Sequence, residues 1–104
     1  MLYIIYQTDK PDSADLRAKT RDEHFQYLDD NEDILVLGGA TLAEDGATRT
    51  GSVLIVNVPS LEDAQNFSEN EPFRKNGLFS RVEINRMRRG QWNPSVAPKT
   101  AEGN

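Results

Sequence analysis

The stretch Leu2-Tyr3-Ile4-Ile5-Tyr6-Gln7 is a continuous apolar and aromatic run with no polar alternation. Such a run predicts a β-strand that is covered on both faces. The turn cluster Thr8-Asp9-Lys10-Pro11-Asp12 follows, and its proline ends the strand. The chain therefore begins with a strand that needs packing on each side.

The segment after this strand has a helical pattern that runs from Ser13 to about Asp30, with residues recurring at steps of three and four. Asp12 or Ser13 supplies the N-cap oxygen. On a helical wheel, an apolar stripe is expected to face the sheet. Its members are Ala14, Ala18, Phe25 and Leu28.

Two further strands are predicted in the middle of the chain. Ile34 to Leu37 is a strand that ends at the pair Gly38-Gly39, which suits a bend or a close backbone approach. The polar stretch from Glu44 to Arg49 contains an Asp-Gly turn signal. Ser52 to Val58 then forms the next strand, so that the two strands pair as a hairpin.

A second helix and a last strand complete the pattern. Ser60 and Asp63 resemble a capping box that opens a short helix. Pro72 ends that helix or starts a separate turn. Leu78 to Arg86 alternates between apolar and polar residues, which predicts a half-exposed strand.

The resulting order of elements is strand, helix, strand, strand, helix, strand. This is the split βαβ arrangement of ferredoxin-like domains. The sequence therefore predicts an α+β fold, ferredoxin-like βαββαβ, with a four-stranded antiparallel sheet and both helices on one face.

Composition limits the classes of function. The chain has 104 residues, which fits one small domain, and no cysteine, which excludes disulfides and thiolate chemistry. The net charge of -5 argues against nucleic acid and anionic membrane as partners. Without a signal segment or an apolar run long enough to span a bilayer, we expect a cytoplasmic protein.

The face of the sheet opposite the helices also needs cover, since the first strand is apolar on both sides. We expect a homodimer that packs sheet against sheet, although a monomer with a solvated face remains an alternative. From Gly90 onward the chain contains proline, glycine and polar residues around a single Trp92. We therefore expect one domain over 1–89 and a polar tail over 90–104.

His24 is the only side chain that titrates near neutral pH, so acid or base chemistry starts there. Arg17 and Arg21 precede it at helical spacing and share its flank, which can aim two guanidinium groups and an imidazole at one anionic substrate. The alternative is an ordinary solvated helix edge with its arginines paired to local acids. A lone histidine without cysteine argues against a metal site.

Glu71 is a candidate partner for His24, because Pro72 directly after it fixes the local backbone. A carboxylate that binds one imidazole nitrogen selects the tautomer and leaves the other nitrogen free as a base. Ser52, which follows Gly51 at the start of a strand, can donate a hydrogen bond into the same region. The alternative is that Glu71 is an ordinary helix-end acid and Phe73 a core residue.

Taken together, these residues resemble the YciI-like (YCII-related) family from about Leu2 to Arg86. The features that carry the resemblance are the Arg17-x-x-x-Arg21-x-x-His24 spacing, Gly39, Thr50-Gly51-Ser52, Glu71-Pro72-Phe73 and Gly77.

The resemblance implies a dimeric α/β barrel with a cleft in each subunit and a dyad of a helix histidine with the aspartate of an Asp-Pro-Tyr/Phe motif. Carried over, the histidine is His24 and the acid is Glu71, with Ser52 and Arg17 as neighbours. This chain has Glu in place of that Asp, and Ala40 where a proline often follows the glycine. Relatives in the family include a dehydrochlorinase of a chlorinated hydroxyhydroquinone.

Our leading hypothesis is a small cofactor-independent lyase or isomerase. In it, neutral His24 is oriented by Glu71 and abstracts a proton from a compact anionic or phenolic substrate, while Arg17 or Arg21 stabilises the developing charge. The alternative is a non-catalytic ligand-binding or dimerisation module. Neither reading involves a cofactor or a metal.

Overall fold

The structure is a computed structural model that describes residues 1–104, and it is a sheet with helices packed on one face. The elements are β1 (Leu2–Asp9), α1 (Ala14–Asp30), β2 (Leu35–Leu42), β3 (Arg49–Asn57), α2 (Leu61–Glu69), α3 (Pro72–Lys75) and β4 (Phe79–Met87). The four strands lie in the order β2-β3-β1-β4, and every neighbouring pair is antiparallel. The predicted α+β fold with ferredoxin-like order is thereby confirmed.

The core lies between the sheet and the helices. Ile5 of β1 is opposite Leu54 of β3 in the strand register, and both side chains are buried. Ala64 and Phe67 of α2 pack against the same cluster. Because side chains alternate along a strand, this arrangement leaves every second residue of β1 and β3 on the opposite face.

Helix α1 is turned differently from the prediction. Its buried residues are Thr20 and His24, whereas Ala14, Ala18 and Phe25 of the expected stripe are exposed, and Phe25 retains 54% of its accessible surface. The predicted stripe was therefore wrong at these three positions, whereas its fourth member, Leu28, packs partly buried against the core. The physical reason is that His24, whose partner Glu71 comes from a distant part of the chain, takes a buried position on α1.

Strand β2 is longer than predicted. It continues through Gly38 and Gly39 to Leu42 instead of ending at the glycine pair. A Cβ at Gly38 would lie 2.8 Å from a methyl group of Leu54, so the glycine gives that core side chain room inside a continuous strand. A glycine in a strand marks a close approach here and not an end.

Each of the two helices between β3 and β4 begins with a capped first turn. The Ser60 side chain accepts a hydrogen bond from the Asp63 backbone N–H, as the predicted capping box requires. Pro72 starts the separate short helix α3, and Glu71 is its N-cap residue. A proline suits the first helical position because its missing N–H would be unpaired there anyway.

The face of the sheet opposite the helices is uncovered in the single chain; it is apolar over β2, β3 and β1, whereas β4 adds Arg81, Glu83 and Asn85 at its edge. The central apolar side chains are Ile4, Tyr6, Leu37, Val53 and Ile55, which are neighbours across the three strands β2, β3 and β1. Leu37 and Tyr6 retain 62% and 45% of their accessible surface.

After β4 the chain is exposed, with a short 3-10 turn at Pro94–Val96 and with Arg89 stacked over Trp92. The division into a domain over 1–89 and a tail over 90–104 stays a prediction. None of the helices is long and apolar enough to cross a membrane.

Among the glycines, Gly51 leaves the least room for a side chain, because a Cβ there would lie 2.0 Å from the backbone carbonyl oxygen of Gln7. We expect Gly51→Ala to lower the free energy of unfolding by about 3 kcal/mol, because overpacking against backbone has no rotamer that relieves it. Gly39→Ala in β2 is the matched control, since no heavy atom lies within 4 Å of its added methyl group. Urea unfolding of both variants checks this, and equal losses would contradict it.

Candidate functional site

A cavity of about 310 Å³ lies between α1 on one side and strands β2 and β3 on the other, with Phe73 of α3 at one end. Its lining carries Arg17, Arg21 and His24 from α1 and Arg49 and Ser52 from β3, and no acidic residue. The cavity therefore brings the predicted histidine, arginines and serine onto one surface. Glu71, the remaining predicted residue, lies behind His24.

The central contact of the site joins His24 Nδ1 to Glu71 Oε1. Glu71 has no accessible surface, and His24 retains 7%. A buried carboxylate is expensive unless it is paired, so this contact also stabilises the packing of α3 against α1. Glu71 reaches the imidazole although it carries one methylene more than the aspartate of the family pattern.

Glu71 is held in place by its own helix. Its second carboxylate oxygen, Oε2, accepts the backbone N–H of Arg74 at 3.4 Å as the cap of α3. The carboxylate is thus engaged at both oxygens, by His24 and by the start of α3. Such a group has little freedom to turn away from the imidazole.

The imidazole plane is fixed by stacking. The rings of His24 and Phe73 lie 3.9 Å apart at 16°, which is a parallel stack. The guanidinium carbon of Arg17 lies 4.7 Å from the centre of the Phe73 ring. Phe73 therefore acts as more than a core residue, because it orients the imidazole and contacts a cation of the cavity.

The second ring nitrogen of His24, Nε2, makes no hydrogen bond to the protein, while the ring lines the cavity. A carboxylate on Nδ1 favours the tautomer whose proton is on that nitrogen. Nε2 then carries the lone pair, on a ring that lines the space in which a ligand would lie. This arrangement can accept a proton from a bound molecule.

The arginines of the cavity differ in how far they are engaged. Arg17 Nε and Nη2 donate to the carboxylate of Asp9 at 2.8 and 3.0 Å, and Nη2 also donates to the Gly51 carbonyl oxygen at 3.0 Å. Only its Nη1 is left without a protein partner. Arg21 is exposed and forms no ion pair.

Arg49 is a cavity residue that the sequence pattern does not reveal. It ends the polar stretch that was predicted to be a loop, whereas in the structure it is the first residue of β3. Its guanidinium donates to the Ala47 carbonyl oxygen at 2.7 Å and carries no ion pair. The pairing of β2 with β3 shifts register between Thr41 and Leu42, opposite Arg49. A bulge of this kind re-aims a side chain, and no alternation pattern in the sequence shows it.

Tyr27 lies on the far side of the pair from the cavity. Its hydroxyl donates to the Phe67 carbonyl oxygen at 2.8 Å. Burial raises the pKa of the Tyr27 phenol, and the negative charge of Glu71 raises it further. The neutral phenol thus closes one wall around the buried carboxylate.

These features define a class of protein: a small ferredoxin-like α+β domain with a buried histidine–carboxylate pair behind a cationic cavity. The profile of the YCII-related domain matches residues 1–88, and the chain belongs to this family. Two curated relatives are Protein YciI of Escherichia coli O6:H1 and Protein YciI of Shigella flexneri. Each is 33% identical over 91 residues, with 81% of this chain and 93% of the relative covered.

A solved structure with the same fold is 5-chloro-2-hydroxyhydroquinone dehydrochlorinase (TftG) from Burkholderia phenoliruptrix AC1100, in complex with 2,5-dihydroxybenzoquinone. Its TM-score is 0.79 at 34% sequence identity, and the match covers 86% of this chain and 96% of that chain. The similarity spans the whole sheet and its helices. It places this chain beside a protein that binds a small ring compound.

The raised pKa of Tyr27 predicts a pH dependence of stability. In the unfolded chain the phenol ionises near its ordinary pKa of 10.0, whereas the folded state keeps it protonated to higher pH. The stability associated with the neutral phenol is fully present below pH 10.0 and is lost as the pH rises toward the folded-state pKa.

We therefore expect Tyr27→Phe to flatten the loss of stability above pH 10.0, although it is less stable than the wild type at neutral pH because it lacks the hydrogen bond to Phe67. Urea unfolding at a series of alkaline pH values measures this. Trp92→Phe, at an exposed position after β4, serves as the control and should retain the wild-type slope. Identical slopes in all three proteins would contradict the expectation.

Proposed function

We propose that this protein is a small cofactor-independent enzyme of lyase or isomerase type, in which His24 removes a proton from a compact anionic or phenolic substrate. The observation that carries the proposal is the contact of His24 Nδ1 with Glu71, which leaves Nε2 free at the cavity. A base of this kind contributes roughly a hundredfold to ten-thousandfold to the rate of a reaction.

The charge of the cavity supports an anionic substrate. The whole chain has a net charge of -5, yet the cavity lining includes three arginines and no acid. In the proposed complex, Arg21, Arg49 and the free Nη1 of Arg17 attract the anion and stabilise the charge that develops when the proton leaves. Ser52 is proposed as a further hydrogen-bond donor to the same ligand.

The shape and the walls of the cavity support a ring compound. Its volume of about 310 Å³ is at the lower end of small-molecule sites. Phe25, Leu28 and Leu54 give it apolar walls, which exclude water from the reacting atoms. The quinone bound by the solved relative is a ligand of this size and chemistry.

The proposed step moves one proton and one electron pair. His24 Nε2 takes the proton from a substrate hydroxyl or carbon, and the electron pair that stays behind is delocalised into the ring. In a lyase reaction this pair expels a leaving group as an anion and the imidazolium releases its proton to water, whereas in an isomerase reaction the imidazolium returns the proton at another atom of the substrate. Glu71 stabilises the imidazolium throughout, because its carboxylate binds Nδ1–H.

We expect His24→Asn to lower kcat by about a hundredfold or more on any substrate the protein turns over, since asparagine keeps a hydrogen-bonding group beside Glu71 but no base. Turnover is screened by absorbance and halide release on hydroxylated and chlorinated hydroquinones, starting with 5-chloro-2-hydroxyhydroquinone. Glu23→Gln, next in sequence but outside the cavity, is the control that retains activity. Full activity of His24→Asn, or recovery of every bound ligand unchanged, would contradict catalysis.

We also propose that two copies pack through their uncovered sheet faces. The apolar residues around Ile55 form one contiguous exposed patch across three strands, and patches of this kind mark interaction sites. A second copy of the chain offers the same patch for a two-fold symmetric contact. Burial of this face would complete the two-sided cover that the apolar strand β1 requires.

In this dimer, Ile55→Glu places an unpaired charge at the interface and is expected to raise the dissociation constant of the dimer by about a hundredfold or more. Gln26→Glu on the outer face of α1 adds the same charge away from the interface. Sedimentation equilibrium distinguishes the variants. A wild type that is monomeric at micromolar concentration, or an Ile55→Glu variant that stays dimeric, would contradict the proposal.

A further inference from the structure

A buried polar pair connects β1 and β3 beneath the cavity. Gln7 and Ser52 are opposite each other in the strand register, with exposures of 1% and 4%. Gln7 Nε2 donates a hydrogen bond to Ser52 Oγ at 2.9 Å. Ser52 lines the cavity, whereas Gln7 lies behind it and contributes no surface to the lining.

This hydrogen bond decides what Ser52 can do. A hydroxyl group has one hydrogen to donate and two lone pairs that accept. Because one lone pair of Ser52 Oγ is taken by the Gln7 amide, and no protein acceptor lies within hydrogen-bond distance of the hydroxyl, its hydrogen is free. The open side of Ser52 is the cavity.

The other amide atom of the same side chain is unpartnered. Gln7 Oε1 is fully buried and accepts no hydrogen bond. A buried polar atom in this state lowers stability, so the bond to Ser52 is the one favourable polar contact that the amide of Gln7 makes. Packing therefore does not explain the glutamine, whereas its hydrogen bond to Ser52 does.

The backbone around the pair leaves Ser52 little room to move. Gly51 lies against the backbone carbonyl of Gln7 so closely that no Cβ would fit. The carbonyl oxygen of Gly51 is held by Arg17 Nη2 at 3.0 Å. The position of the Ser52 Oγ relative to the cavity is thus set by β1, β3 and α1 together.

We infer that Gln7 is a positioning residue that keeps the Ser52 hydroxyl as a hydrogen-bond donor toward an anionic oxygen of a ligand in the cavity. This inference rests on the ligand site of the proposed function and adds a donor that the arginines do not supply. A donor aimed in advance at a phenolate or enolate oxygen stabilises that charge without reorganisation. Gln7 itself does not touch the ligand.

The test is a double-mutant cycle on ligand binding. Gln7→Met, Ser52→Ala and the double variant are titrated calorimetrically with 2,5-dihydroxybenzoquinone at constant pH and salt. We expect each single variant to bind about five- to tenfold more weakly, as for one lost hydrogen bond to an anion, and the double variant to bind no more weakly than Ser52→Ala. Gln26→Met on the outer face of α1 is the matched control and should bind as the wild type does.

A second readout separates positioning from structural support. Gln7→Met removes the unpartnered oxygen, which favours stability, and the hydrogen bond to Ser52, which opposes it, so its melting temperature is expected to stay close to that of the wild type while its affinity falls. Should methionine prevent folding, Gln7→Leu replaces it in the same cycle. A structural role alone would lower the melting temperature and leave the affinity of the folded protein unchanged.

Several outcomes would overturn the inference: unchanged affinity in Gln7→Met, losses that add in the double variant, or no saturable binding to the wild type. A higher affinity in Gln7→Met would show that Gln7 captures the hydroxyl hydrogen, which also overturns it. The inference and the proposed catalysis fail separately. Coupled binding losses without any turnover would retain the donor and reject the enzyme, and independent losses with a His24-dependent turnover would do the reverse.

Discussion

The contact between His24 and Glu71 is the interaction on which the rest of the site depends. It joins the middle of α1 to the N-cap of α3, and it satisfies a carboxylate that has no access to water. Without the imidazole, that carboxylate would be a buried unpaired charge, which a domain of this size can hardly tolerate. The same contact favours one tautomer of the imidazole, so one pair of atoms affects both the packing of the helices and the state of the ring at the cavity.

A second constraint is the separation of charge within the molecule. Acidic residues outnumber basic ones in the chain, but the two acids nearest the cavity are paired behind it: Asp9 forms an ion pair with Arg17, and Glu71 contacts the imidazole of His24. The cavity surface is consequently left to cationic and apolar groups. Two nitrogens of Arg17 are therefore not available to a ligand, because Nε and Nη2 donate hydrogen bonds to Asp9 and to the Gly51 carbonyl oxygen.

The glutamate that replaces the aspartate of the family pattern fits this arrangement. Glu71 caps α3 with one oxygen and contacts the imidazole with the other, so its longer side chain keeps both functions. The stacked ring of Phe73 then limits where the imidazole can go. The N-cap of α3 holds Glu71, and the ring of Phe73 holds His24, so the fold and not one flexible side chain determines the geometry of the pair.

The sequence by itself determined the order of the elements, the capping box at Ser60 and the spacing that gathers Arg17, Arg21 and His24 on one flank of α1, because strand alternation and helix periodicity are local. It did not determine which face of α1 is buried. Thr20 and His24 are polar, and a partner of His24 lies 47 residues away, so the local pattern pointed to the alanines instead. Three further features follow only from the tertiary structure: β2 continues through Gly38, a bulge turns Arg49 to the cavity, and Gln7 lies under Ser52. Each of them depends on contacts between strands, which the periodicity of the sequence does not encode.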